Sequence, residues 1–120
     1  MKKIVIEISH PPYGHENAYS GFFVALGSLP KGVDTIVILT GEGVYAARRG
    51  QVDPPKNINL PSTEEQVNDI INLGGRVIAD KQALLVRGIH DEELIEGIEV
   101  LNPNEIQDII LNHGEHILTF

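Results

Sequence analysis

The densest run of groups able to act on a ligand is Ser9-His10-Pro11-Pro12-Tyr13-Gly14-His15. Imidazoles change charge near neutral pH, which suits His10 and His15 to acid–base or donor roles. The prolines equally make the run a rigid surface loop with solvated histidines, and the residues alone favour that reading. A second run, Thr40-Gly41-Glu42-Gly43-Val44-Tyr45, sets two glycines where a strand turns into a helix. Backbone amides in such a turn are placed to hold an anion. The run lacks the Lys-Ser/Thr of a P-loop and the third glycine of a dinucleotide fingerprint, so it serves as well as a tight turn with no ligand. Asp80 follows an apolar run and precedes a helical one. A carboxylate there is usually an N-cap, and it is also where α/β sheets present groups to ligands. His90 followed by Asp91 reads as a helix start. Gly114 separates His113 from His116, so these two are expected neither to share a helix face nor to bind a metal. No Ser/His/Asp triad has a recognisable setting. The residues assign no catalytic group, no metal and no cofactor.

These groups need elements to position them, and the pattern alternates short apolar runs with helical stretches, the mark of a parallel α/β sheet. Strands are predicted at Lys3–Ser9, Asp34–Thr40, Arg76–Ala79, Ile98–Leu101 and Glu115–Phe120. The continuous run Ile36-Val37-Ile38-Leu39 suits a strand covered on both faces. Helices are predicted at Asn17–Ser28, around Gly43–Arg49, from a Ser62/Glu65 capping box to about Leu73, and from Lys81 to about Arg87. Asp91–Ile95 reads as one further turn. The last helix starts on Asn102-Pro103 with Glu105 at N3 and ends near His113-Gly114. Residues 50–61, with Pro54, Pro55 and Pro61, read as an exposed connection. Ligands bind at the carboxyl ends of parallel strands, which draws the candidate site from Ser9–Asn17, Thr40–Tyr45, Ala79–Lys81 and Leu101–Asn102.

With 120 residues, 42% of them apolar and 22% charged, the chain reads as one soluble globular domain over 1–120. It has no cysteine, which excludes disulfides, thiolate nucleophiles, Cys-ligated metal sites and a persulfide carried on this chain. The net charge of -8 is unevenly placed: residues 1–87 hold nine acidic and nine basic side chains, whereas 88–120 hold eight acidic ones and no Lys or Arg. That balance argues against binding a phosphate backbone. It fits a solvated face, or an acidic surface for a basic partner. Neither a signal segment nor a membrane span is expected, and the expected compartment is the cytoplasm.

Several segments together resemble the DsrE/DsrF family of sulfur-relay proteins, and its DsrF/TusC branch most of all. Ser9, Pro12, Tyr13, Gly14 and Gly21 fall where that branch has a strand ending in Ser, then x-x-Pro-His-Gly and a later Gly, with Tyr13 in place of the His. Glu42-Gly43-Val44-Tyr45 and Gly50-Gln51 match its Asp-Gly-Val-Phe and Gly-Gln in order and spacing. Arg87-Gly88-Ile89 resembles its Arg-Gly-Val/Leu, and Phe120 closes the chain as that branch does.

The resemblance implies an α/β/α sandwich on a mainly parallel five-stranded sheet. It also implies homotrimers or homohexamers, or hetero-oligomers with Cys-bearing DsrE-like relatives, and a role in sulfur transfer toward tRNA thiolation or in sulfur oxidation. The DsrE/TusD branch carries its active Cys at the end of the third strand, seven residues before the Arg of Arg-Gly. That place is Asp80 in this chain, and a carboxylate cannot form a persulfide. The resemblance therefore implies a non-carrier subunit with no catalysis of its own, whose pocket would draw on Ser9, Tyr13, Gly43, Tyr45 and Asp80. The alternative is a small-molecule or anion-binding module whose ligand would be contacted by the Gly41–Gly43 turn with His10 and His15; Gly14 belongs to the wider candidate pocket. An enzyme pairing Asp80 with His10 or His15 ranks third.

Overall fold

A computed structural model describes residues 2–14, 16–51 and 61–120. His15 and residues 52–60, which hold most of the expected proline-rich connection, lie outside the described residues. The strands are β1 (Lys3–Ile8), β2 (Asp34–Leu39), β3 (Arg76–Asp80), β4 (Glu99–Leu101) and β5 (His116–Thr119). They form one sheet in the order β4-β3-β2-β1-β5, with every ladder parallel. The helices are α1 (Asn17–Ser28), α2 (Thr63–Asn72), α3 (Lys81–Val86) and α4 (Pro103–His113). The fold is the expected α/β sandwich.

Strand order dictates which helix covers which face. From β1 to β4 each connection steps in one direction across the sheet, and right-handed crossovers put all such connections on one side. The step from β4 back to β5 runs the other way, so α4 lands on the opposite side. The buried side chains follow this division. Ile6, Ile8, Val37, Leu39, Val77 and Ala79 pack with α1, α2 and α3 through Phe22, Val67, Ile70 and Leu84. The alternate residues Val5, Ile36, Ile38 and Ile78 pack with α4 through Ile106. The apolar run of β2 is buried on both faces, as its composition predicts.

Local signals act where they stand. Asn102 and Glu105 form both arms of a capping box at the start of α4, with Pro103 at N1. At α2 the Ser62 arm is present, its Oγ accepting from Glu65 N at 3.2 Å. Asp80 caps α3. His90 precedes a 3₁₀ turn at Asp91–Glu93, and its N–H donates to Glu93 Oε2 at 2.7 Å. The helix expected at Gly43–Arg49 is instead a 3₁₀ segment over Gly41–Ala47. Two glycines and a β-branched Val44 disfavour a regular helix. The chain then turns extended at Arg48, which bridges Leu94 in antiparallel fashion. Among the described residues, no helix is long and apolar enough to cross a membrane.

Candidate functional site

The carboxyl ends of β1 and β2 meet through backbone bonds. Thr40 N donates to Ile8 O at 3.0 Å, and Gly43 N donates to Thr40 O at 2.8 Å. The glycine turn then folds onto β1. A Cβ at Gly43 would stand 2.0 Å from Ile8 O and 2.8 Å from its carbonyl carbon, so only glycine allows this approach. Gly41, at φ +51, brings its own Cβ direction to 3.9 Å from Ser9 O. Ser9, Gly41 and Gly43 are thus gathered into one corner. The glycine requirement at Gly43 is met by the chain's own backbone.

Side chains of alternate strand residues point to the same face. Glu7, Thr40 and Asp80 therefore continue the rows of Val5, Ile38 and Ile78, on the face covered by α4. They form a polar rim across three adjacent strands. Thr40 Oγ1 donates to Glu7 Oε2 at 3.1 Å. Asp80 Oδ1 accepts from Gln82 N at 3.0 Å. Beside the rim, Arg87 Nε donates to Glu42 Oε2 at 3.3 Å and Arg87 Nη1 to Ala83 O at 3.1 Å. This ion pair ties the glycine turn to the end of α3. The rim offers carboxylates and hydroxyls, which accept, orient and exchange protons; it contains no sulfur and no group able to carry one.

The remaining candidates are spread out. Tyr13 and Gly14 are exposed in the loop after β1, and His10 is half-buried there. Tyr45 packs partly against the larger core, and its carbonyl accepts from Gln51 Nε2 at 3.1 Å. His113 ends α4 and His116 opens β5. Among the described residues no three His, Asp or Glu side chains stand together as metal ligands.

Two surface grooves flank α3. One of about 290 Å³ runs between Leu84, Leu85, His90, Asp91 and Val100, and one of about 530 Å³ between Leu85, Val86, Asn102 and Pro103. Lys81 borders both and Asn102 the second, each from a strand-end segment that the sequence singled out, whereas Ser9, Gly43, Tyr45 and Asp80 line neither.

Sequence reasoning passed over Glu7 and Arg87 as site residues, and took in Thr40 and Glu42 only as members of the Thr40–Tyr45 segment. For Glu7 the signal was legible: a single carboxylate inside the apolar strand Ile4-Val5-Ile6-Glu7-Ile8. The Glu42–Arg87 pair spans 45 positions, and no local spacing announces it.

The sequence profile of the DsrE/DsrF-like family matches residues 2–120. The chain is 30% identical over 118 residues to the uncharacterized protein MJ0989 of Methanocaldococcus jannaschii, covering 98% of this chain and 99% of that one. It is 31% identical over 103 residues to the uncharacterized protein MK0008 of Methanopyrus kandleri, covering 86% and 82%. Among solved structures, the YchN protein of E. coli superposes with a TM-score of 0.87 at 27% identity over the full length of both chains. The protein of unknown function MTH1491 from Methanobacterium thermoautotrophicum superposes with a TM-score of 0.71 at 16% identity, again over both full chains, and shares the fold.

Proposed function

Starting from the fact that this chain belongs to the DsrE/DsrF-like family, we propose that it is a cysteine-free, non-carrier member of a sulfur-relay system, of the DsrF/TusC kind. It acts as an oligomeric scaffold or partner subunit in intracellular sulfur transfer and leaves the covalent chemistry to a Cys-bearing DsrE-like relative.

The observation that carries this reading is Asp80. It ends β3, at the position the resemblance assigns to the sulfur carrier, and its Oδ1 accepts from Gln82 N as the cap of α3. A persulfide forms when a thiolate takes a sulfane sulfur; a carboxylate offers no such nucleophile. The strand end is kept while the group that would carry sulfur is replaced by one that holds the helix. The Glu42–Arg87 ion pair supports the same reading, because it joins two segments quoted for the resemblance, Glu42-Gly43-Val44-Tyr45 and Arg87-Gly88-Ile89, into one structural unit. The acidic stretch 88–120 is the surface on which a basic region of the partner would dock.

The test is reconstitution with a Cys-bearing DsrE-like relative from the same genome, using a persulfide donor labelled in its sulfane sulfur. The expected result is a stable mixed complex, label on the relative's cysteine and none on this chain. A complex with no such relative, or sulfur transfer to the relative that proceeds identically with and without this chain, overturns the reading. An Asp80→Cys variant is expected to acquire label within the mixed complex. Failure of that folded variant to acquire label would remove Asp80 from the transfer route.

A further inference from the structure

The larger of the two grooves beside α3, about 530 Å³, is used neither by the polar rim nor by the glycine turn. Its volume falls in the range of small-molecule sites. The β3–β4 ladder explains its walls. Asp80 pairs with Leu101, so the residues that follow, Lys81 and Asn102, emerge side by side at the carboxyl ends of adjacent strands. α3 runs on from Lys81. Leu85 and Val86 lie one turn beyond Lys81 and Gln82 on the same side of this helix, about 6 Å further along its axis. Pro103 completes the lining. The groove is polar at one end and aliphatic along its length.

The polar end offers donors. Lys81 carries the positive charge, and among the described residues no ion pair occupies it. Asn102 Oδ1 already accepts from Glu105 N at 2.9 Å, which leaves the amide NH₂ to donate. The nearby carboxylates are turned to their own caps: Asp80 Oδ1 accepts from Gln82 N at 3.0 Å, and Glu105 Oε1 from Asn102 N at 3.0 Å. Neither lines the groove. In a chain of net charge -8, this lining holds one cation and no anion. The aliphatic wall is open to water, with Leu85 69% and Val86 74% exposed, and covering it is favourable. The smaller groove differs, because Asp91 and Glu92 line it together with Lys81. An anion is favoured on the larger side alone.

We propose that the larger groove binds an aliphatic carboxylate, its head on Lys81 beside the Gln82 and Asn102 amides and its tail along Leu85, Val86 and Pro103. A free medium-chain fatty acid offers this chemistry, and so does the carboxyl end of a peptide closing in an aliphatic residue. A head without a tail leaves the wall exposed to water, and a tail without a head leaves Lys81 unmatched, so selectivity comes from the two together. The site lies apart from the glycine turn, and it does not depend on a role in sulfur transfer.

Octanoate is the direct probe, titrated into the isotopically labelled full chain and followed by NMR. Saturable shifts are expected at the Leu85 and Val86 methyls and the Gln82 and Asn102 amides, with a Kd of about 1 mM or tighter. Octanol and octylamine keep the tail and are each expected to bind at least about threefold more weakly. Acetate keeps only the head and is expected not to saturate. Lys81→Gln is expected to erase the preference for octanoate over octanol, and Lys81→Glu to reverse it toward octylamine. Val86→Ser is expected to weaken all three octyl compounds alike. An acetylated peptide ending in Leu tests the second source. Binding tighter than octanoate and lost on amidation assigns the groove to a chain end; the opposite order assigns it to a free acid. No saturable binding of octanoate or of the peptide at about 10 mM, shifts confined to other residues, or an octanoate preference unchanged in Lys81→Gln overturns the proposal. Should a Lys81 variant fail to fold by circular dichroism, the order of the three octyl compounds on the parent chain decides.

Discussion

On one face of the sheet, α1, α2 and α3 bury Ile6, Ile8, Val37, Leu39, Val77 and Ala79 under Phe22, Val67, Ile70 and Leu84. On the other, α4 alone covers Val5, Ile36, Ile38 and Ile78, and Ile106 is its single buried residue. The difference comes from the strand order, which steps one way through β4 and returns once. Polarity follows from cover. A half-buried carboxylate such as Glu7 is tolerated on the thin side because water reaches it and Thr40 bonds it; beneath the thick layer an unpaired charge would be strongly unfavourable. The rim of Glu7, Thr40 and Asp80 lies on the thin face, and the open strand β5 borders it. The thick face holds the larger core, while the thin face and its margins carry exposed polar groups and the open edge.

Substitutions of decreasing severity test this division. Phe22→Ala removes a fully buried ring from the thick face and is expected to cost about 3–5 kcal/mol, read as a lower urea midpoint at unchanged m. Ile106→Ala removes the one buried side chain that α4 contributes to the thin face. Ile106 is already 6% exposed at the border of a small cluster, so its site can collapse and the loss is expected near ~2 kcal/mol, the low end for such truncations. Equal losses at the two positions would break the comparison. Asn102→Ala removes the cap that starts α4, the one helix on the thin face among the described residues, and is expected to cost about 1 kcal/mol.

The smallest effect concerns Arg76 and Glu99, which join β3 to β4 at 2.7 Å and 2.9 Å. The hydrogen bond between them, then their opposite charges, hold the Glu99 carboxyl below the usual carboxylate range despite partial burial. A lowered carboxyl contributes stability above its unfolded pKa and loses it as the pH falls through the folded one. Both side chains are 39% exposed, so Glu99→Gln is expected to cost no more than about 0.2–1 kcal/mol at neutral pH. The thermal midpoints of parent and variant should converge on acidification. A gap that persists at the acid end would refute the assignment.

The local features were legible in the residues themselves. Asn102-Pro103 with Glu105, Ser62 before α2 and Asp80 before α3 are caps whose chemistry acts within a few positions, and each does what its type implies. The double-sided burial of β2 follows from Ile36-Val37-Ile38-Leu39. The site was legible only in part. The loop after β1, the glycine turn and Asp80 were found as strand ends. That Gly43 serves the approach to Ile8 O depends on two strands being neighbours. The Glu42–Arg87 and Glu7–Thr40 contacts also join residues far apart in the chain.

Residue type and period by themselves determined the strands, most of the helices with their caps, and the exclusion of any sulfur carried on this chain, because each depends on backbone propensity, short-range hydrogen bonds or the presence of a thiol. Only the tertiary structure decided which face is thin, which glycine is obligatory and which strand is left open. Those properties arise from the order in which strands lie side by side, which no local spacing encodes and which right-handed crossovers convert into the face each helix covers.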